Sequence, residues 1–189
     1  MLEIAELGVE LRAGVPGCAT VARVLHGVTL RVEPGEAVVV HGTAGAGKSV
    51  LLQCAAGLRR PSAGTVRVGG LRAADALHHG LLAYAPLGVL GTPAPGARVL
   101  VVDVPAGSTA PSAVARLARR LRARAAGVSV LLAARSSDAY RLAGALPGSR
   151  LLALRGGCLE ASPWPVLPWS VGRVAEQERA SVDPPREAS

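Results

Sequence analysis

Short apolar runs recur along this chain and alternate with segments of helical periodicity. Apolar and polar side chains alternate clearly in residues 28–32 and 65–68 and weakly in residues 7–11. This alternation predicts strands with one buried face. Continuous apolar runs are typical of strands buried on both faces of a parallel sheet. Such runs occupy residues 37–40, 81–85, 99–102, 128–133 and 151–154.

Two segments have the pattern of helices. Residues 48–58 are predicted to form the first helix, which Gly57 and Pro61 would close. Residues 112–126 are predicted to form the second, because their apolar side chains fall on one helical face and their arginines on the other. Since strands alternate with helices, we predict an α/β fold with a mostly parallel sheet.

A glycine-rich loop lies between the first continuous apolar run and the first predicted helix. It fits the phosphate-binding pattern G-x-x-x-x-G-K-[ST], with the residues Gly42, Thr43, Ala44, Gly45, Ala46, Gly47, Lys48 and Ser49. In that pattern backbone N–H groups converge on phosphate oxygens at a helix N-terminus, the lysine reaches the terminal phosphates and the hydroxyl binds Mg²⁺. Lys48 is the only lysine among 21 basic residues, so a compact ammonium stands where this chemistry requires one.

Composition restricts the class of protein. Half of the 189 residues are hydrophobic, which is enough for a sizeable core and too many for a disordered chain. The three cysteines, Cys18, Cys54 and Cys158, are widely spaced and favour reduced thiols over a disulfide framework or a zinc site. The chain has no apolar run of membrane-spanning length and no apolar signal segment at its N-terminus. We therefore expect a cytoplasmic protein that contacts a membrane only peripherally, through a partner.

The net charge of +8 comes almost entirely from arginine. The dense basic group lies on the second predicted helix and consists of Arg116, Arg119, Arg120, Arg122 and Arg124. Such a face can bind nucleic acid or an anionic membrane. Because a charged helix face is more often simply solvated, we do not expect a nucleic-acid partner.

The residues around the loop resemble the ATP-binding domain of ABC transporters. The resemblance is nearly continuous over residues 24–70, and further on residues 99–103, Val-Leu-Val-Val-Asp, are similar to the family's Walker B strand and residues 150–160 to its closing hairpin. It implies a P-loop NTPase fold, with a mostly parallel sheet flanked by helices and a small N-terminal antiparallel β subdomain. It also implies ATP as the ligand, with Mg²⁺ held by Ser49 and Asp103.

The same resemblance divides the chain into two parts. Residues 1–162 would form the nucleotide-binding domain. Residues 163–189, which contain Trp164 and Trp169 in a proline-rich context, would form a C-terminal tail that is partly disordered.

The chain departs from the family pattern at positions that serve hydrolysis and coupling. Val104 stands where the family has its catalytic glutamate, so we expect no catalytic residue. Leu87 takes the position of the Q-loop glutamine, Arg135 that of the switch histidine and Ala110 that of the D-loop aspartate. Residues 88–97 leave no room for the family's helical subdomain and its signature motif. The resemblance thus implies ATP binding without the usual machinery for hydrolysis.

Three functions stay open at this point. The first is an ATP-binding, ABC-type ATPase-like subunit that works with a membrane permease or with a complete ABC ATPase subunit. The second is a non-hydrolysing regulatory or scaffold subunit of a membrane transport complex. The third is another P-loop enzyme such as a small kinase. Kinases have an arginine-rich lid, and residues 119–124 are similar to such a lid in composition, although their apolar periodicity indicates a packed helix.

Overall fold

Two β-sheets and four helices make up the described part of the chain. The computed structural model describes residues 1–13, 20–86, 96–104, 111–124 and 127–162. The strands are β1 (Leu2–Ala13), β2 (Thr20–Val32), β3 (Ala37–His41), β4 (Ala63–Val68), β5 (Leu71–Arg72), β6 (Leu82–Ala85), β7 (Val99–Asp103), β8 (Ser129–Ala134), β9 (Arg150–Arg155) and β10 (Cys158–Ala161). The helices are α1 (Lys48–Ala55), α2 (Ala73–His78), α3 (Pro111–Arg124) and α4 (Ser136–Ala145).

The larger sheet is mostly parallel. Its six strands follow the order β10-β9-β3-β8-β7-β6. All neighbouring pairs are parallel except β9 and β10, which form an antiparallel hairpin at one edge. Parallel neighbours need long crossover connections, and α3 and α4 lie in the crossovers from β7 to β8 and from β8 to β9. The predicted α/β fold and the predicted closing hairpin are both confirmed.

The smaller sheet comes mainly from the N-terminal part of the chain. Its strands follow the order β2-β1-β4-β5, and every neighbouring pair is antiparallel. A backbone hydrogen bond from the His26 N–H to the Gly157 carbonyl, 2.9 Å long, links β2 to the β9–β10 turn of the larger sheet. The implied antiparallel β subdomain is therefore present and joined to the parallel sheet.

The core has two layers, one on each face of the larger sheet. Every residue of β3 is buried. Val38 and Val40 pack in the layer that contains α1 and the smaller sheet, whereas Val39 packs in the layer beneath α3 and α4. This two-sided burial is what the continuous apolar runs predict. Because the chain has no Phe, both layers consist mainly of Leu, Val and Ala.

Both predicted helices form, with ends that differ from the prediction. α1 stops at Ala55 because Gly57, at φ +73°, turns the chain out of the helix, so the predicted end at residue 58 was wrong. α3 begins one residue early, at Pro111, and residues 125–126 lie outside the described residues. α2 and α4 were not predicted, because their apolar positions are mostly alanine and give little periodic signal. Within the described ranges, every helix is too short or too polar to span a lipid bilayer.

We predict that Gly57→Ala destabilises the protein more than Gly69→Ala. Both glycines have positive φ angles, which cost an alanine about 1–2 kcal/mol. A Cβ at residue 57 would also collide with the backbone of Ala73 and Ala74 at the start of α2, whereas one at residue 69 would meet no atom within 4 Å. The collision should add about 1–3 kcal/mol to the loss in free energy of unfolding, measured by denaturant titration. Equal losses in the two variants would contradict the close packing of α1 on α2.

Candidate phosphate-binding site

The glycine-rich loop lies at the carboxyl edge of the parallel sheet. It connects the end of β3 to the start of α1. In the parallel register His41 pairs with Ala134 of β8, and Asp103 of β7 pairs with Ala133. The loop, Asp103 and Arg135 therefore follow three adjacent strands at one edge, which is where α/β folds bind their ligands.

Glycine is required at both ends of the loop. A Cβ on Gly42 would lie 2.5 Å from the carbonyl oxygen of Leu154 in β9, so this position has no space for a side chain. Gly47 has φ +94°, and a Cβ there would lie 3.0 Å from Cγ1 of Val24. Between them the N–H of Ala46 donates to the carbonyl of Thr43 at 3.3 Å and closes a turn. The loop thus follows a path that other residues would strain.

The first turn of α1 has the properties of an anion site. Gly47 is the N-cap residue and no side chain caps the helix, nor does its first turn contain an acidic residue. The first helical hydrogen bond runs from the Leu51 N–H to the Gly47 carbonyl, 2.9 Å long. The N–H groups before Leu51 have no intrahelical acceptor, and the helix dipole adds positive potential at this end. Both effects favour a phosphate group.

Lys48 lies across the loop. Its Nζ donates to the carbonyl oxygens of Gly42 and Thr43, at 2.9 and 2.8 Å. Burial lowers the pKa of Lys48, the Asp103 carboxylate opposes this by raising it, and the Arg135 guanidinium lowers it further. The ammonium group is thus held among two loop carbonyls, one carboxylate and a second cation.

Asp103 is half-buried at the end of β7. Alternation along the strand puts it on the same face as Val101, which packs in the α1 layer. Its carboxylate acts on the pKa of Lys48. On the adjacent strand β6, burial raises the pKa of Tyr84 and the Asp103 carboxylate raises it further. The structure brings Asp103 to the loop, as the sequence predicts, and adds Tyr84, which no motif indicates.

The donor set suits Mg²⁺ bound together with a phosphate. Ser49 is exposed at the start of α1, and no group of three or more His, Cys, Asp or Glu residues occurs among the described residues. Mg²⁺ is commonly held by one or two carboxylates, with waters and substrate phosphates completing its shell, so a hydroxyl and a single carboxylate fit this mode. The assignment of Ser49 and Asp103 as metal ligands stays a prediction.

Val104 belongs to the core and not to the loop. Its side chain is 4% exposed and packs in the layer that contains α3, while its N–H donates to the carbonyl of Ala133 at 2.9 Å. Arg135 is exposed at the start of α4. The other departures from the family pattern, Leu87 and Ala110, lie outside the described residues.

His41 connects the base of the loop to two other segments. It is 4% exposed; its Nδ1 lies 3.4 Å from Oγ of Ser136 and its Nε2 lies 3.1 Å from Oγ of Ser162. Burial lowers the pKa of His41, and the positive charges of Arg155 and Lys48 lower it further. A neutral imidazole therefore ties the end of β3 to α4 and to the residue that follows β10.

Comparison with known proteins supports this interpretation of the site. Residues 25–84 match the family model for ABC transporters. The chain is 52% identical over 48 residues to the sn-glycerol-3-phosphate import ATP-binding protein UgpC of Paracoccus denitrificans, and 53% identical over 51 residues to the lipoprotein-releasing system ATP-binding protein LolD 1 of Rhodospirillum rubrum. These stretches are 25% and 27% of this chain, but only 14% and 23% of the two relatives.

The fold extends the similarity beyond the matching sequence. The dimeric structure of a bacterial ABC transporter cassette aligns with a TM-score of 0.64 at 15% identity, over 85% of this chain and 97% of the other. The ATP-binding subunit of an ABC transporter aligns with a TM-score of 0.61 at 18% identity, over 97% of this chain and 95% of the other. The P-loop fold and the glycine-rich loop are both similar to those of ABC transporter cassettes. Residues 25–84 thus have the sequence pattern of the ABC transporter family, and the fold of the chain is that of ATP-binding cassettes.

We predict that Lys48 titrates below the ordinary pKa of lysine and responds in opposite directions to its two charged neighbours. Asp103→Asn should lower the pKa further, because it removes the charge that stabilises the ammonium. Arg135→Gln should raise it, because it removes a repelling charge. Since Lys48 is the only lysine, isotope-labelled lysine gives a single side-chain signal to follow by NMR.

Asp75→Asn is the matched control for that titration. Asp75 pairs with Arg72 on the surface, so this variant has the same change in net charge away from the loop. It should leave the pKa of Lys48 unchanged. A pKa that shifts equally in Asp103→Asn and Asp75→Asn would contradict a local arrangement of charges at the loop.

Proposed function

We propose that this chain is an ABC-type, ATP-binding subunit that binds Mg-ATP through residues 42–49 and Asp103. The observation that carries the proposal is the position of Lys48, whose Nζ lies 2.9 and 2.8 Å from two loop carbonyls beside an uncapped helix N-terminus. A bound triphosphate would offer the ammonium charged oxygens in place of neutral carbonyls, and charge-assisted hydrogen bonds are the stronger ones.

Each group in the proposed site has a separate task. The loop N–H groups and Lys48 bind and neutralise the phosphates, while the Ser49 hydroxyl and the Asp103 carboxylate hold Mg²⁺, the latter through water. Mg²⁺, when bound, offsets the charge of the terminal phosphates and orients them. Because residues 1–83 contain no Tyr, Trp or Phe, we expect affinity to depend on the phosphates more than on stacking of the base.

We propose that the isolated chain binds ATP without hydrolysing it at the rate of a complete cassette. The position that resembles the catalytic glutamate holds Val104, and a positioned general base is worth about 10²–10⁴ in rate. Val104 also packs in the core with Val114 and Leu117, so this position contributes to stability. The burial of Val104 favours, as a second candidate, a regulatory or scaffold subunit whose nucleotide occupancy controls assembly.

The partners and the organisation of the chain are part of the same proposal. A membrane permease, or a complete ABC ATPase subunit that supplies the missing motifs, would be the partner. Residues 1–162 would be the nucleotide-binding domain at the cytoplasmic side of a membrane, peripheral through that partner. The proposed tail, residues 163–189 with Trp164 and Trp169, lies outside the described residues.

We predict that Mg-ATP raises the melting temperature of the wild-type chain and not of Lys48→Ala. Ligand at 100 times its Kd adds about 2.7 kcal/mol. For a chain of this size that corresponds to a rise of about 5–10 °C. Thermal unfolding with and without Mg-ATP measures it, and Mg-GTP should give a rise of similar size because the base contributes little.

The control for this experiment is Arg60→Ala, which removes an exposed positive charge away from the loop. It should keep the full rise. A rise that survives in Lys48→Ala would refute the proposed site, and the absence of a rise in the wild type at millimolar Mg-ATP would refute nucleotide binding by the isolated chain. Phosphate release by the wild-type chain at ordinary ABC rates would refute the proposed loss of hydrolysis.

A further inference from the structure

The positive charge of this chain is concentrated in one stretch. Residues 104–155 contain nine arginines and one acidic residue, Asp138, a charge of +8 that equals the net charge of the whole chain. All other residues together contain twelve basic and twelve acidic groups and are neutral. The charge therefore belongs to the part of the fold that includes α3 and α4.

α3 turns its arginines outward. The apolar side of the helix packs against the sheet through Val114, Leu117, Ala118 and Leu121, each at most 7% exposed. The opposite side carries four exposed arginines, Arg116, Arg119, Arg120 and Arg122, which we call the arginine face. Since burial of the apolar side sets the rotation of the helix, these guanidinium groups stay on the surface.

Within the described ranges, no acidic residue pairs with the arginine face. The salt bridges there lie elsewhere: Arg23 with Glu10, Arg31 with Glu33, Arg72 with Asp75 and Arg150 with Glu36. Arg122 donates from Nε to the carbonyl of Ala145, 2.5 Å away, and so ties α3 to the end of α4. The like charges on α3 repel one another, and an external anion would relieve that repulsion.

We propose that the arginine face binds the phosphate headgroups of an anionic lipid membrane. A guanidinium group matches the geometry of a phosphate and binds it with two parallel hydrogen bonds. α3 lies with its apolar side in the core and packs against α4. A helix packed on two sides in this way can present its arginine face to a broad surface such as a bilayer, whereas a nucleic-acid groove admits a projecting helix or ribbon. The described side chains of α3 include no aromatic ring on which the bases of a single strand could stack.

This mode of binding is electrostatic only. The large apolar side chains of α3, Val114, Leu117 and Leu121, are in the core, so this helix inserts none of them into the bilayer, and its binding should weaken steeply as salt rises. A basic residue near an anionic surface strengthens binding about fivefold. The proposal does not depend on the nucleotide site, which lies at the carboxyl edge of the sheet.

The test compares two triple variants with equal net charge in a vesicle sedimentation assay. The first is Arg116→Gln with Arg119→Gln and Arg120→Gln, and the second changes the exposed Arg12, Arg60 and Arg98 to Gln. The vesicles contain phosphatidylcholine alone or phosphatidylcholine with an equal part of phosphatidylserine. Salt is set at about 0.05 M and about 0.5 M, which shortens the range of the interaction several-fold.

We expect the wild type to bind only the phosphatidylserine vesicles and only at low salt. The first variant should lose about 100-fold in affinity and the second less than about fivefold. Equal losses of affinity in the two variants would overturn the proposal, because they would show that binding depends on the net charge of the chain and not on the arginine face. Equal binding to both vesicle types, no binding to either, or tighter binding to duplex or single-stranded DNA or RNA at the same salt would also overturn it. Thermal unfolding of both variants verifies that each is folded.

Discussion

The burial of β3 on both faces is the constraint on which the rest of the structure depends. β3 pairs in parallel with β8 and β9, and core layers cover it on both sides. A strand enclosed in this way cannot slip in register without exchanging the side chains that face the two layers. Its last residue therefore determines where the phosphate-binding loop begins. Gly42 then passes so close to the Leu154 carbonyl that only glycine fits, and the neighbouring strand shapes the loop from its first residue.

The polar contacts at the end of β3 reinforce this constraint. His41 reaches Ser136 at the start of α4 and Ser162 after β10, so one buried side chain joins three segments at the base of the loop. Burial lowers the pKa of His41 and its positive neighbours lower it further, which keeps the ring neutral and able to donate from one nitrogen and accept at the other. Contacts between uncharged side chains therefore hold the end of β3, where the loop begins. The charges above it, on Lys48, Asp103 and Arg135, are left to interact with a ligand.

The two regions directed at anions differ in physical character. At the loop, one ammonium group is partly desolvated and held by carbonyls at 2.8 and 2.9 Å, so an anion bound by it would have a defined position. On α3, the guanidinium groups are exposed and lack acidic partners among the described residues. Their attraction to a negatively charged surface would therefore be long-ranged and would weaken as the salt concentration rises. The two proposed sites lie on separate faces of the sheet, because Val101 and Asp103 face the α1 layer whereas Val104 packs in the layer that contains α3.

Much of this molecule could be predicted from local pattern. The apolar runs placed the parallel strands, the periodicity of residues 112–126 gave the buried side of α3, and the glycine-rich motif identified the loop with Lys48. The misses were α2 and α4, together with the end of α1. Alanine-rich helices carry little periodic signal, and α1 ends where Gly57 meets the backbone of α2, a contact between segments that are distant in sequence.

The sequence by itself determined the class of fold and the position of the glycine-rich loop, because strand burial and glycine geometry are local requirements. Only the tertiary structure decided how the charges act on one another. The pKa of Lys48 depends on Asp103 and Arg135, which are 55 and 87 residues away along the chain and reach the loop through strand pairing. The outward direction of the arginines likewise depends on the packing of α3 against the sheet. Electrostatic interactions act through space, so only the folded chain specifies them.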